Sequence, residues 1–277
     1  SPEKLPAAES EMIFSKQDLK QLLLPLLAEQ FLVVLIGMMD TIMVSYCGES
    51  AMSGESAMSG VSLVDSINVL LIGVFSALAT GGAVLVSQYL GQKRPDGAKT
   101  AAKMLFYVVL LVSLAIMAVC LIFRKPLLFA IFGNVEEDVM TASQIYFLMS
   151  ALSYPVMAIY NACCALLRCI GNPRATMFSS FIMNIVNLIG NSVTIFWLGW
   201  GVMGAGLATL ISRSVGAYIT QRALRDPHCR IPYPGMFPFE WHPSEVKKIL
   251  SVGIPSGFEN GLFQLGKLLL LSMIATF

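Results

Sequence analysis

The sequence predicts an all-α, polytopic membrane fold: a six-helix bundle that is the first lobe of a twelve-helix, two-lobed protein, followed by a seventh span. Three observations lead there. Apolar residues make up 56% of the 277 residues and charged residues only 13%, and the charges fall between long uncharged runs that the surface of a soluble domain would not tolerate. Four runs, Ile67 to Leu90, Met104 to Phe123, Val139 to Leu167 and Ala175 to Leu198, contain no Asp, Glu, Lys or Arg. Each reaches the roughly 20 residues that cross a hydrocarbon core. The third observation is a repeated phrase. Leu24-Pro25-Leu26-Leu27-Ala28-Glu29-Gln30 and Ile254-Pro255-Ser256-Gly257-Phe258-Glu259-Asn260 each set a proline four residues ahead of a carboxylate-amide pair in a long apolar stretch. Tandem repeats with interrupted helices and intramembrane acids characterise membrane transport proteins.

Taken in order, residues 1–21 read as a polar cytoplasmic tail ending in a short amphipathic helix, Phe14 to Gln21, lying on the inner membrane surface. Leu22 to Tyr46 is the first span, apolar except for Glu29 and Asp40. In the outer loop after it, Gly48-Glu49-Ser50-Ala51-Met52-Ser53 is repeated as Gly54-Glu55-Ser56-Ala57-Met58-Ser59. Extra residues in a flexible surface loop cost only about half a kcal/mol of closure entropy, and small residues of this kind suggest no chemistry. The four uncharged runs are spans two to five, and Val202 to Thr220, broken only by Arg213, is span six. These make residues 22–221 the N-terminal lobe. Residues 222–248 form a cytoplasmic linker rich in proline (Pro227, Pro232, Pro234, Pro238) that closes with a second amphipathic helix, Trp241 to Lys248. Residues 249–277, carrying Glu259 and Lys267, are expected to be the first helix of a C-terminal lobe that continues beyond Phe277.

Orientation follows from the basic residues. With the N-terminus in the cytoplasm, the outside collects only Arg124 and Lys125, Lys267 lies within the membrane, and every other Lys and Arg, Arg213 included, is assigned to the inner side. A net charge of +1 argues against a nucleic-acid partner. The six cysteines and two histidines form no metal-ligand spacing, no cofactor is expected, and no Ser-His or His-rich constellation in the spans suggests an enzyme.

The residues that can carry chemistry are the polar ones inside the spans. An ionised Asp40 near the middle of an apolar helix costs about 3 kcal/mol, which a proton, a bound sodium ion or a facing polar helix must offset. The alternative is an acid that reaches the outer interface. Glu29 lies 11 residues earlier, three turns plus about 20°, so both acids share a face about 16 Å apart. That face is expected to line a cavity, with Gln30 beside it; an interfacial acid is the other reading of Glu29. Pro25 frees a backbone carbonyl and bends the helix below both acids. Span five supplies Asn184, Asn187 and Asn191, the last two at i, i+4. Their amide oxygens suit a small cation or a titrating acid, and equally suit helix-to-helix adhesion. Span seven repeats the design with Pro255, Glu259, Asn260, Gln264 and Lys267 as cavity candidates, their partners expected in the second lobe.

Four phrases give the chain a resemblance to the multidrug and toxic compound extrusion (MATE) family: Met39-Asp40-Thr41-Ile42-Met43-Val44, Gly82-Ala83-Val84-Leu85-Val86-Ser87-Gln88-Tyr89-Leu90-Gly91, Leu167-Arg168-Cys169-Ile170-Gly171-Asn172-Pro173, and Leu198-Gly199-Trp200-Gly201-Val202-Met203-Gly204-Ala205-Gly206. The resemblance implies an antiporter, in a bacterial inner or plasma membrane, that exports organic cations and amphipathic compounds by alternating access in exchange for protons or sodium ions. It maps Asp40 onto the family's span-one acid and Asn187 onto a span-five amide of the same pocket. Many members carry an aspartate four residues later, where this chain has Asn191. One carboxylate instead of two weakens sodium binding and favours protons. Glu259 resembles the span-seven acid of the second lobe. A lipid-linked precursor flippase of the same superfamily is the runner-up, disfavoured because a diphosphate needs a strongly basic cavity. A membrane enzyme is a poorer third reading, and a non-transporting half-transporter a further one.

Overall fold

The computed structural model describes residues 16–45, 54–235 and 239–275. Within them the side chains at 33, 40, 41, 44, 45, 54, 55 and from 267 onward are outside the described set, which removes those of Asp40 and Lys267 from view. Eight α-helices are described: α1 (Lys16–Ser45), α2 (Gly54–Gly91), α3 (Pro95–Ile122), α4 (Arg124–Phe132), α5 (Glu137–Cys169), α6 (Pro173–Asn191), α7 (Val202–Leu224) and α8 (Pro243–Ala275). A π-helical segment, Ser192–Trp197, continues α6. Among the described residues six helices are long and apolar enough to cross a membrane: α1, α2, α3, α5, α6 with its π extension, and α7. These are the six expected spans. The seventh falls in α8, whose last residues have undescribed side chains, and it stays an expectation.

Several boundaries differ from those expected, for physical reasons. The two segments read as surface helices are not separate: residues 16–21 are the first turns of α1, and Pro243 to Lys248 are the first turns of α8. Neither Pro25 nor Pro255 ends its helix. The second copy of the duplicated hexapeptide is likewise no loop. It opens α2, where Ser56 and Ala57 are buried, because small side chains let helices approach closely. Asp65, two residues ahead of the uncharged run Ile67 to Leu90, therefore lies inside the helix. Arg213, assigned to the inner side, sits midway along α7. The nine-residue α4 follows α3 directly and was not expected as an element of its own.

Five spans close a ring: α1 packs on α2 and α6, α6 on α7, α7 on α5, and α5 on α2. Helix α3 lies outside this ring against α2 and α5. In lipid the apolar effect does not drive helices together, so close packing and interhelical hydrogen bonds must do so. Gly81 illustrates the packing. A Cβ there would stand 2.4 Å from the Ile249 carbonyl oxygen and 2.9 Å from the Gly253 nitrogen, so only glycine admits α8 against α2. Between α6 and α7, Gly199 and Gly201 both adopt positive φ, 65° and 62°, which reverses the chain in a few residues.

The family phrase ending α2 has a structural task as well. The Tyr89 hydroxyl donates to Glu245 Oε1 at 2.6 Å, and Lys248 lies 3.7 Å from the same oxygen. The start of α8 is thereby fastened to the end of α2. The linker docks on α3 through Phe239 against Tyr107, ring centroids 5.2 Å apart.

Candidate functional site

Three polar clusters occupy the ring. The first pins α1. Glu29, 5% exposed, accepts from Arg168 Nη2 through Oε1 at 2.5 Å and from the Thr176 hydroxyl through Oε2 at 3.1 Å. Arg168 closes α5 and Thr176 opens α6, so one carboxylate ties three helices together. Charge-assisted bonds of this kind are roughly twice as strong as neutral ones. Glu29, expected to line a cavity or to be an interfacial acid, has its oxygens facing a guanidinium and a hydroxyl inside the lobe. Gln30, the next residue, is exposed, and Pro25, one turn before the pin, is buried.

The second cluster lies on α6. Asn191 Nδ2 donates to Asn187 Oδ1 at 3.0 Å, and Asn187 Nδ2 reaches the Thr209 hydroxyl of α7 at 3.5 Å, long for such a bond. Asn187 is 2% and Asn191 0% exposed. Asn184 stays apart, bonding back to the Ser180 carbonyl at 3.0 Å. The relation of this cluster to Asp40 follows from register. Spans alternate in direction, so α1 and α6, the first and fifth, run the same way. Their register is set by Glu29 against Thr176. Eleven residues onward, about 16 Å along each helix, position 40 on α1 is level with Asn187 on α6. The Asp40 side chain itself is not described.

The third cluster escaped the sequence reading. On α2, Asn68 Nδ2 donates to Asp65 Oδ1 at 3.4 Å and to the Ser150 hydroxyl of α5 at 3.2 Å, while the Tyr154 hydroxyl donates to Asn68 Oδ1 at 3.0 Å. Tyr146 also hydrogen-bonds Asp65, and the charge of Arg213 acts on it across the ring. Arg213 Nη1 itself donates to the Ser153 hydroxyl at 2.5 Å. Arg213 is one helical turn from Thr209, so α7 presents the second and third clusters from neighbouring turns. A signal was available: Asp65, Asn68 and Arg213 are all adjacent to or inside apolar runs. Counting the second run from Ile67 concealed it.

The α8 candidates are not gathered by this lobe. Glu259 and Asn260 are exposed, Gln264 is half-buried, and Lys267 has no described side chain. Pro255 is exposed on the same helix. Among the described residues no three His, Cys, Asp or Glu side chains converge as a metal centre would require. The oxygens of the second cluster are amide and hydroxyl groups, hard donors suited to a sodium ion or to bracing a titrating carboxylate.

Comparison with known proteins agrees with this architecture. The MatE family model matches residues 25–193. The chain is 29% identical over 277 residues to the uncharacterized transporter YisQ of Bacillus subtilis, covering 98% of this chain and 57% of the relative. It is 28% identical over 268 residues to a probable multidrug resistance protein NorM of Thermotoga maritima, covering 94% and 54%. It therefore spans about half the length of these relatives. Among solved structures, a MATE protein in complex with MaD3S superposes with a TM-score of 0.82 at 22% identity, over 94% of this chain and 57% of that one. A MOP superfamily transporter from Pyrococcus furiosus, described as having a binding pocket of reverse polarity, gives 0.81 at 20% identity over 92% and 55%. With more than half of its residues matched by the family model and its six spans in the corresponding arrangement, the chain belongs to the MatE family of multidrug and toxic compound extrusion transporters.

Proposed function

We propose that the chain is the N-terminal lobe of a secondary active antiporter that exports cationic or amphipathic organic compounds in exchange for protons or sodium ions, with Asp40, Asn187, Asn191 and Thr209 as its coupling site. One observation carries this reading: position 40 is level with the hydrogen-bonded Asn187 and Asn191 on the neighbouring parallel helix. The groups that α6 and α7 offer near that level are neutral amides and a hydroxyl, which do not cancel a carboxylate's charge, so in this reading a mobile cation supplies the balance. Ionised Asp40 favours a cationic substrate. Neutralised by the coupling ion, it no longer does, and α1 can bend at Pro25, one turn before its pinned Glu29. The ion must distinguish the two states by a few kcal/mol for export to be driven. Protons are favoured because the pocket's second span-five position is Asn191 and not an acid.

Arg213 favours a second reading, a substrate bearing an anionic group, since it places a cation inside the lobe. Asp65 offsets that charge, which leaves the first reading ahead. Efflux of a fluorescent cationic dye from cells under imposed proton or sodium gradients tests the proposal. Wild-type protein is expected to respond to the proton gradient and Asp40→Asn to lose the response at equal membrane abundance. An unchanged response in the variant contradicts the assignment.

A further inference from the structure

Two cavities meet at Arg168, the guanidinium that pins Glu29. One, of 780 Å³, opens where the start of α1, the end of α5, the start of α6 and the linker converge; Arg168, Arg174 and Arg230 line it, with Asp18 as its acid and Gln21 beside it. Arg174 and Arg230 are exposed. Asn172 and Pro173 also line this cavity, and Asn172 makes no side-chain cap on α6. The first-turn amides of a 19-residue helix therefore add their partial positive charge at the same place. The other cavity, of 600 Å³, runs between α2 and α5 along Ala83, Val84 and Ala165, and shares Arg168 and Cys169 with the first. A basic chamber at the level where spans begin and end thus continues into a groove in which Ala83, Val84 and Ala165 lie among the polar Thr80, Ser87 and Gln88 within the span region.

We propose that this pair of cavities binds an anionic phospholipid, its phosphate held by Arg174 and Arg230 beside Arg168 and its acyl chain laid along α2 and α5. The charges support an anion. Glu29 offsets Arg168 from within and Asp18 opposes the rest, leaving Arg174 and Arg230 to draw the ligand. Basic pockets between membrane helices select anionic headgroups in this way. The groove favours a lipid over free phosphate, because a soluble anion has no use for it. The ligand also touches the guanidinium that pins Glu29, so its occupancy bears on the hinge turn of α1. The site does not depend on the coupling role of Asp40.

Native mass spectrometry of the purified chain in mixed micelles tests this. Phosphatidylglycerol is expected to be retained in preference to phosphatidylcholine of identical chains. Arg174→Gln and Arg230→Gln should each weaken retention about fivefold, the effect of one basic side chain near an anionic surface. Both are exposed positions whose replacement leaves the fold intact. Lys99→Gln, exposed elsewhere on the same side, should leave retention unchanged, and neither inorganic phosphate nor glycerophosphoglycerol at matched concentration should displace the lipid. Equal retention of the two lipids, an equal loss in Lys99→Gln, or displacement by phosphate alone would overturn the proposal; the last would make this a site for a free anion.

Discussion

The seam between α1 and α6 is built in two different ways along its length. In its lower part Glu29 receives a guanidinium and a hydroxyl directly. Three turns higher, Asn187 and Asn191 offer only amides, with Thr209 at 3.5 Å. The two levels differ in what α6 and its neighbours offer to a charge on α1. Below, the cation is part of the protein, and the carboxylate's charge is balanced within the lobe. Above, the groups that α6 and α7 offer are neutral, and in the proposed function Asp40 takes its cation from solution. Fixed pairing makes an anchor; neutral solvation makes a site that can exchange. Asp65 is intermediate, hydrogen-bonded by an amide and a phenol while Arg213 acts on it from across the ring.

That contrast can be broken first at the anchor. Glu29→Ala strands Arg168 and should cost about 2 kcal/mol in thermal unfolding, below the roughly 3–5 kcal/mol of a fully buried pair because the Arg168 side chain is 38% exposed. The double variant with Arg168→Ala should lose less than the sum of the singles, as coupled partners do. Arg213→Gln is expected to cost about 1–2 kcal/mol by leaving Asp65 without its balancing charge, and adding Asp65→Asn should return part of it. Asn187→Ala removes two intramembrane hydrogen bonds, which average about 0.6 kcal/mol each. A stability loss of about 1 kcal/mol should accompany slower efflux. The smallest effect concerns a group outside the ring. Burial, and then Asp226, push the Cys229 thiol above the usual cysteine range, so less thiolate is present near pH 8. Maleimide labelling of Cys229 should be slower than that of a free cysteine, and should rise with pH to a later midpoint.

Much of this architecture is legible in the sequence, and the reasons are local. Uncharged runs of span length report α3, α5 and α6 directly, because lipid leaves a helix no other way to satisfy its backbone. The glycines of the Leu198 to Gly206 phrase mark the turn they form. Legibility ends where a residue's meaning depends on distant partners. Glu29 and Arg168 are 139 positions apart, and no periodicity links them. Asp65 was missed because Ser56, Ser59 and Ser62 make the start of α2 look like a loop, although small residues there are helix-packing surface. The level of position 40 with Asn187 is likewise a product of register, visible only after Glu29 had been found against Thr176.

The most direct test of the account sets Asp40→Asn and Glu29→Gln side by side in one gradient-driven efflux assay, with membrane abundance and unfolding temperature measured for both. Asp40→Asn is predicted to abolish the response to the proton gradient while unfolding near the wild-type temperature. Glu29→Gln is predicted to lower the unfolding temperature yet still respond to the gradient. The reverse outcome, coupling lost at Glu29 and retained at Asp40, would contradict the division of the seam into an anchor and an exchange site.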